Sequence, residues 1–343
     1  MTKLVTIGIP VYRRLDFLPH VLNIVSSQVY PDIELIVSDN GMNGSAVHDI
    51  VKKYYSRPIR FRQNSSTVGM SIHFNQIIHE ASGEYFVLLA DDDEISSNYV
   101  SELVTLLERH SRASVAMSIQ ETMDETGVTL RRSSEKVPEM LTGSDFIRAA
   151  WGTHEYGYES FSTFVGRTSN LVNYGGYPDF FKGTALDDAL IVKLCFDNFV
   201  VFSTRCTFRK RFSEVSDGYA MGIKELSRGL RDFLAFLESD PIIRAYAVSQ
   251  RSQWKDSKRI LVEMAWKTYY YRWLNLYKKR LTPQEWVRAG FYMPFIPDYY
   301  RAVVQTFAHS VVDDGLEKLE EHIPWAYKIY RTVHPKRLHS GQS

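Results

Sequence analysis

Gly83-Glu84-Tyr85-Phe86-Val87-Leu88-Leu89-Ala90-Asp91-Asp92-Asp93-Glu94 is the stretch that decides the fold. Tyr85–Ala90 is an unbroken apolar run, too short for a helix and without the alternation of a half-exposed strand, so it reads as a strand buried on both faces. Such strands belong to parallel sheets covered by helices. The run ends abruptly in three aspartates. In an open parallel sheet the ligand crevice lies beyond the carboxyl ends of the strands, so Asp91-Asp92-Asp93 should open on it. Adjacent carboxylates repel, which makes the cluster costly unless a cation or hydrogen-bond donors offset it. The natural partners are hard divalent cations, Mn²⁺ or Mg²⁺, which combine carboxylate oxygens with substrate phosphates.

The flanking sequence repeats the pattern. Leu4–Ile9, Glu34–Val37 and Ile59–Arg62 read as strands; Asp16–Ser27, Ser45–Tyr55 and Ser71–Ala81 read as helices between them. This βαβ rhythm predicts an α/β fold, Rossmann-like, with a mainly parallel sheet flanked by helices. A helix over Asn98–His110, a strand over Ser114–Ile119 and an exposed polar loop or hairpin over Glu121–Glu139 follow. Further on come helices over Gly143–Trp151 and Thr184–Phe196, and strands over Phe161–Arg167 and Phe199–Arg209. Beyond about Ser216 only helices are expected, which divides the chain into a domain over 1–235 and a helical C-terminal region over 236–343.

Composition narrows the function. Lys+Arg 41 against Asp+Glu 40 in 343 residues gives a net charge of +1, with no global field to hold nucleic acid. Cys195 and Cys206 are too few for a disulfide framework or a structural zinc site, which fits a reducing compartment. The first residues read as a strand rather than a signal peptide, and no run approaches the ~20 apolar residues of a membrane span. A cytoplasmic protein is expected, with peripheral attachment at the inner face of the cell membrane left open.

Several motifs in order carry a resemblance. They are Ile9-Pro10-Val11-Tyr12-Arg13 after the first strand, Ser38-Asp39-Asn40-Gly41 after the second, Asn64 and Gly69 leading to Asn75, and the Gly83–Asp93 stretch. Tyr174-Gly175-Gly176-Tyr177-Pro178 and Leu186-Asp187-Asp188 complete the set. Over roughly residues 3 to 218 the chain resembles an inverting GT-A glycosyltransferase of the family 2 type. The resemblance implies a nucleotide-sugar donor, UDP-linked ahead of GDP- or dTDP-linked, and a glycan or lipid-linked acceptor. It implies that Pro10, Val11 and Tyr12, with Arg13, line the nucleobase pocket and that Asp39 and Asn40 meet base or ribose. Asp91 and Asp92 would then hold ribose and diphosphate, and Asp92 and Asp93 the metal. Family members often read Asp-x-Asp-Asp, whereas this chain has Ala90 at the first position, so the ligating pair is not fixed by the motif.

An inverting transfer needs a carboxylate opposite the leaving group to take the acceptor's proton. Asp188 is the candidate. Thr184-Ala185-Leu186-Asp187 also fits a capping box, which would turn Asp187 back to the helix start and leave Asp188 pointing elsewhere. Arg209 and Arg211, after the last strand, are expected on the diphosphate, since guanidinium forks to phosphate oxygens. His154 and Glu155 are weaker candidates for the acceptor side. Val262, Trp266, Tyr269, Trp273 and Leu276 form an apolar stripe among many cations. It fits core packing or contact with a second copy, and also a membrane surface. Two rivals stand beside the transferase. One is a catalytically silent nucleotide-sugar or glycan-binding scaffold. The other is a sugar nucleotidyltransferase, disfavoured because Pro10–Arg14 has no glycine to cradle a triphosphate.

Overall fold

The structure is a computed structural model that describes residues 2–158, 160–196, 198–212, 221 and 223–265. These residues fall in one compact unit, Met1–Trp266. Its centre is a sheet in the order β3-β2-β1-β4-β9-β6-β10-β5. The first half consists of β1 (Val5–Val11), β2 (Ile33–Asp39), β3 (Ile59–Gln63) and β4 (Tyr85–Leu88), all parallel. Helices α1 (Leu18–Ser26), α2 (Ala46–Tyr54) and α3 (Met70–Glu80) make the crossovers.

The second half is mixed. β5 (Glu94–Ile95), α4 (Tyr99–Arg109), β6 (Ala113–Met123), β7 (Thr129–Arg132) and β8 (Met140–Thr142) lead to α5 (Gly143–Ile147). β9 (Val165–Arg167), α6 (Thr168–Asn173), α7 (Leu186–Cys195) and the long β10 (Phe199–Arg211) follow. β6 and β10 are parallel, while β9 runs antiparallel between β4 and β6. The 154–164 segment first reaches the carboxyl edge, where the Thr163 hydroxyl donates to Leu88 O at 3.1 Å, and β9 returns from there. Hence only Val165–Arg167 of the expected Phe161–Arg167 strand pairs. The polar 121–139 stretch is the hairpin of β6 and β7.

The core sits on one face of the parallel half. Leu18, Val21, Leu22 and Val25 of α1 and Val100, Leu103, Val104 and Leu107 of α4 interdigitate with Val5, Ile7, Ile9, Leu35 and Val37. Their three- and four-residue spacing on the helices meets the two-residue spacing of the strands. β1 runs two residues beyond the expected end: Pro10 pairs with Ser38 and Val11 with Asp39. Gly8 O accepts from Leu89 N, so Pro10, two residues on, turns its missing donor to the side where the β4 ladder has ended.

α8 (Ile223–Ser239), α9 (Pro241–Ser249) and α10 (Arg251–Met264) fulfil the expectation of helices after the last strand. Residue 235, where the domain boundary was expected, lies within α8. Among the described residues no helix is long and apolar enough to cross a membrane. Apart from Val262, the apolar stripe of the C-terminal part lies outside the described residues.

His73 of α3 is 3% exposed and sits against Ser38 at the end of β2, its Nε2 2.9 Å from the hydroxyl and 3.1 Å from the carbonyl. Burial lowers its pKa from 6.5 to about 4. The unfolded chain therefore takes up this proton first, and stability falls as pH drops from about 6.5 to about 4, by up to on the order of 3 kcal/mol. By NMR, the His73 ring resonances should stay at their neutral positions down to pH 5; a midpoint near 6.5 would contradict this burial.

Candidate active site

The carboxyl edge of the sheet collects the expected acidic groups. After β4 the chain turns at Ala90–Asp93, with Asp93 N donating to Ala90 O at 3.3 Å. Asp91 is partly exposed, and burial together with Asp92 pushes its pKa up to about 7 against the pull of Arg14 and the Tyr12 N–H. Asp92 pairs with Arg14 through Oδ2, and burial raises its pKa as well. Asp93 turns inward: it is 3% exposed and accepts the Arg211 N–H at 2.8 Å, and its pKa rises to about 8 through burial and the Asp92 charge.

Helix α7 brings the second acidic pair. Its approach is built by α3, where Asn75 clamps Tyr177 through both backbone groups at 2.8 Å. Gly176 is required there: its φ is +60°, and a Cβ would lie 2.2 Å from Asn75 Oδ1. Lys182, Gly183 and Ala185 then adopt left-handed backbone just before α7, strain of the kind that collects at functional sites. The capping box read from the sequence does not form. Left-handed Ala185 occupies the cap position, and the Thr184 hydroxyl donates to Phe181 O at 3.2 Å. Asp187 is thus not drawn back to the helix start; burial and Asp188 push its pKa up to about 6 while Lys210 opposes them. Asp188 is 5% exposed and accepts the Trp151 indole N–H at 2.9 Å.

The end of β10 differs from expectation. Arg209 forks onto Glu94 and Glu121, at 2.5 and 3.1 Å. Arg211 is buried, its guanidinium on Glu94 at 2.9 Å and on the carbonyls of Asp92, Asp124 and Glu125. Both arginines brace the β5 side. Strand alternation turns Lys210, between them, to the opposite face, where its charge acts on Asp92, Asp93 and Asp187. Sequence reasoning passed over Lys210, although the period of two could have separated it from its neighbours. Lys210 also lines a polar pocket with Gln120, Thr122, Arg131, Ser133 and Ser160.

The residues assigned to the base pocket meet at the ends of β1 and β2. Tyr12 is half-buried under the Arg13 guanidinium, 4.9 Å from its ring centre. Asp39 is fully buried and accepts from Gly41 N, Asn43 Nδ2 and Gln63 Nε2 at 2.7 to 3.0 Å. Asn40 ties Val68 through both N–H and carbonyl at 2.9 Å. The two residues hold the loops that frame Pro10–Arg13. Among the described residues no three Asp, Glu, His or Cys side chains form a complete cation cage. One or two carboxylates beside substrate phosphates is the usual arrangement for Mg²⁺-like ions, and partly exposed Asp91 and Asp92 fit it.

Residues 6–175 match the model of the family described as Glycosyl transferase family 2. The chain belongs to this family. Its GT-A fold is shared with the S. aureus TarS 1-349 structure in complex with UDP-GlcNAc: TM-score 0.64, 16% identity, covering 97% of this chain and 90% of that one. The mannosyltransferase PcManGT from Pyrobaculum calidifontis, in complex with GDP-Man and Mn²⁺, aligns with TM-score 0.53 and 14% identity over 97% and 87% of the two chains. Abequosyltransferase RfbV of Salmonella typhimurium strain LT2 is 29% identical over 109 residues, 31% of this chain and 33% of that protein. An uncharacterized glycosyltransferase of Rickettsia conorii is 29% identical over 130 residues, 37% of this chain and 21% of its own. The matched stretch thus spans a third or less of these curated relatives.

For this family 2 glycosyltransferase, the close approach of the loops after β1 and β2 depends on Gly41, where a Cβ would fall 1.5 Å from Tyr12 O, a backbone atom. Gly41→Ala should destabilise the protein by more than about 3 kcal/mol in urea unfolding. Gly44→Ala, with φ +61° but nothing within 4 Å, should cost only about 1 kcal/mol. Equal losses would contradict the close approach of the two loops.

Proposed function

We propose that the enzyme moves a sugar, with inversion, from a nucleoside diphosphate sugar to a hydroxyl of a glycan or lipid-linked acceptor in surface polysaccharide assembly. A UDP-linked donor is favoured. The observation that carries this reading is Lys210, whose charge acts on both Asp92 and Asp187. A charge felt by two acidic clusters far apart in the chain supports a single cleft with diphosphate-gripping and proton-accepting groups on its two sides. The names of the neighbours support the donor class, since TarS was solved with UDP and UDP-GlcNAc and PcManGT with GDP-Man and Mn²⁺.

In this reading Tyr12 and Arg13 flank the base, while Asp39 and Asn40 fix the loops around it. Asp92, with Asp91 beside it, would hold Mn²⁺ or Mg²⁺; when bound, the ion supplies Lewis-acid stabilisation of the departing diphosphate. Asp93 ties the turn to β10. Lys210 takes the diphosphate contact that the sequence suggested for Arg209 and Arg211. Asp188 accepts the proton of the acceptor hydroxyl, and the Asp187 charge beside it disfavours a second ionised carboxylate and so strengthens its pull on that proton.

Three measurements test this. A panel of nucleotide sugars with Mn²⁺ should raise the unfolding temperature for one base and sugar above the others; no stabilisation by any member would sink the donor assignment. Asp92→Ala should abolish the Mn²⁺-dependent part of that stabilisation. Asp188→Asn should keep it but lose transfer by about 10²–10⁴-fold, the usual worth of a positioned base; turnover near wild type would remove the base from this position.

A further inference from the structure

The chain between α5 and the 154–164 segment is a π-helical turn, Arg148–Thr153, closed by left-handed His154. Turns of this kind shift the helical register by one residue and are common at functional sites. Within the turn lies Trp151, 6% exposed, with its indole N–H 2.9 Å from Asp188 Oδ1. The indole is fixed on its other sides by Phe161, ring centres 4.7 Å apart, and by Phe146, edge-on at 5.6 Å. Ile260 of α10 covers the next residue, Gly152, within 3.4 to 3.6 Å of where a Cβ would stand. This turn is thus braced from behind by a helix that follows the last strand of the sheet.

We propose that Trp151 is the positioning residue of the transfer reaction: its N–H holds the Asp188 carboxylate in one orientation and favours its ionised form. This rests on the reading of Asp188 as base. An indole N–H only donates, so it can never take the proton itself, and its bond is stronger to the ionised carboxylate than to the neutral one. Donors to an ionised carboxylate hold it ready to accept a proton, whereas burial and the neighbouring Asp187 push the other way. The Lys210 charge lowers the pKa of Asp187 and so opposes that push. Removing the donor therefore leaves the carboxylate in place but less often ionised and less well aimed. The packing of α10 on the π-helical turn gives that helix a part in the chemistry without contact to substrate.

The test needs the full chain and two readouts. Six tryptophans give six indole N–H resonances, and Trp151→Phe assigns one. In Asp188→Asn that resonance should move upfield at pH 7 as the charged acceptor is lost; an unchanged position would overturn the proposal. The second readout is hydrolysis of UDP-GlcNAc, or of the panel member that stabilises the protein most. Trp151→Phe should lower kcat about tenfold, leave KM within about twofold, and move the acid limb of the kcat profile up by about one pH unit. Phe161→Leu loosens the same aromatic packing but keeps the donor, and should leave that limb in place. A wild-type limb in Trp151→Phe, or equal shifts in both variants, would reduce Trp151 to packing. Wild-type hydrolysis in Asp188→Asn would instead remove the base reading beneath the proposal, an outcome distinct from the other two.

Discussion

Repulsion among five carboxylates is the constraint around which the cleft is built. Asp91, Asp92 and Asp93 follow one buried strand, Asp187 and Asp188 open one helix, and burial raises the pKa of Asp91, Asp92, Asp93 and Asp187. A fold tolerates this where cations answer it. Arg14 on Asp92, the Arg211 backbone on Asp93, and the Lys210 charge felt by Asp92, Asp93 and Asp187 supply part of the answer. On the proposed function, a nucleoside diphosphate donor would bring more negative charge, and a divalent cation arriving with it would balance that charge. The groups that make the cleft costly when empty are those that make it selective when filled.

The rest of the fold serves to hold those groups still. Parallel β1, β2 and β4 end on one edge because their crossovers have one hand, which delivers Tyr12, Asp39 and Asp91 together. Asn75 and Gly176 fasten the approach to α7, and the aromatic cluster of Phe146, Trp151 and Phe161 fixes Asp188 from the other side. None of these contacts is local. They join α3 to the turn before α7, and the π-helical turn to α7, across long stretches of chain.

That separation explains what could be read from the sequence. The strand ends were legible because apolar runs stop where acidic residues begin, and local pattern alone places both on the carboxyl edge. The reversed β9 was not, since Phe161–Arg167 looks like any other short strand and its direction is set by where the preceding loop lands. Arg209 and Arg211 looked like phosphate ligands because their partners, Glu94 and Glu121, lie far away in sequence. Lys210 was hidden between them although strand alternation alone would have singled it out. The capping pattern at Thr184–Asp187 misled because Ala185 takes a left-handed conformation that no local signal announces. Trp151 carries no motif; its contact with Asp188, 37 residues on, is visible only in the fold.

Anomalous diffraction at the manganese edge, from crystals of the full chain grown with the stabilising nucleotide sugar and Mn²⁺, tests the account most directly. The account predicts one peak beside Asp92 and the diphosphate, with Asp188 on the opposite face of the anomeric carbon. A bound nucleotide sugar with no manganese beside Asp92, or with Asp188 on the same side as the diphosphate, would contradict it.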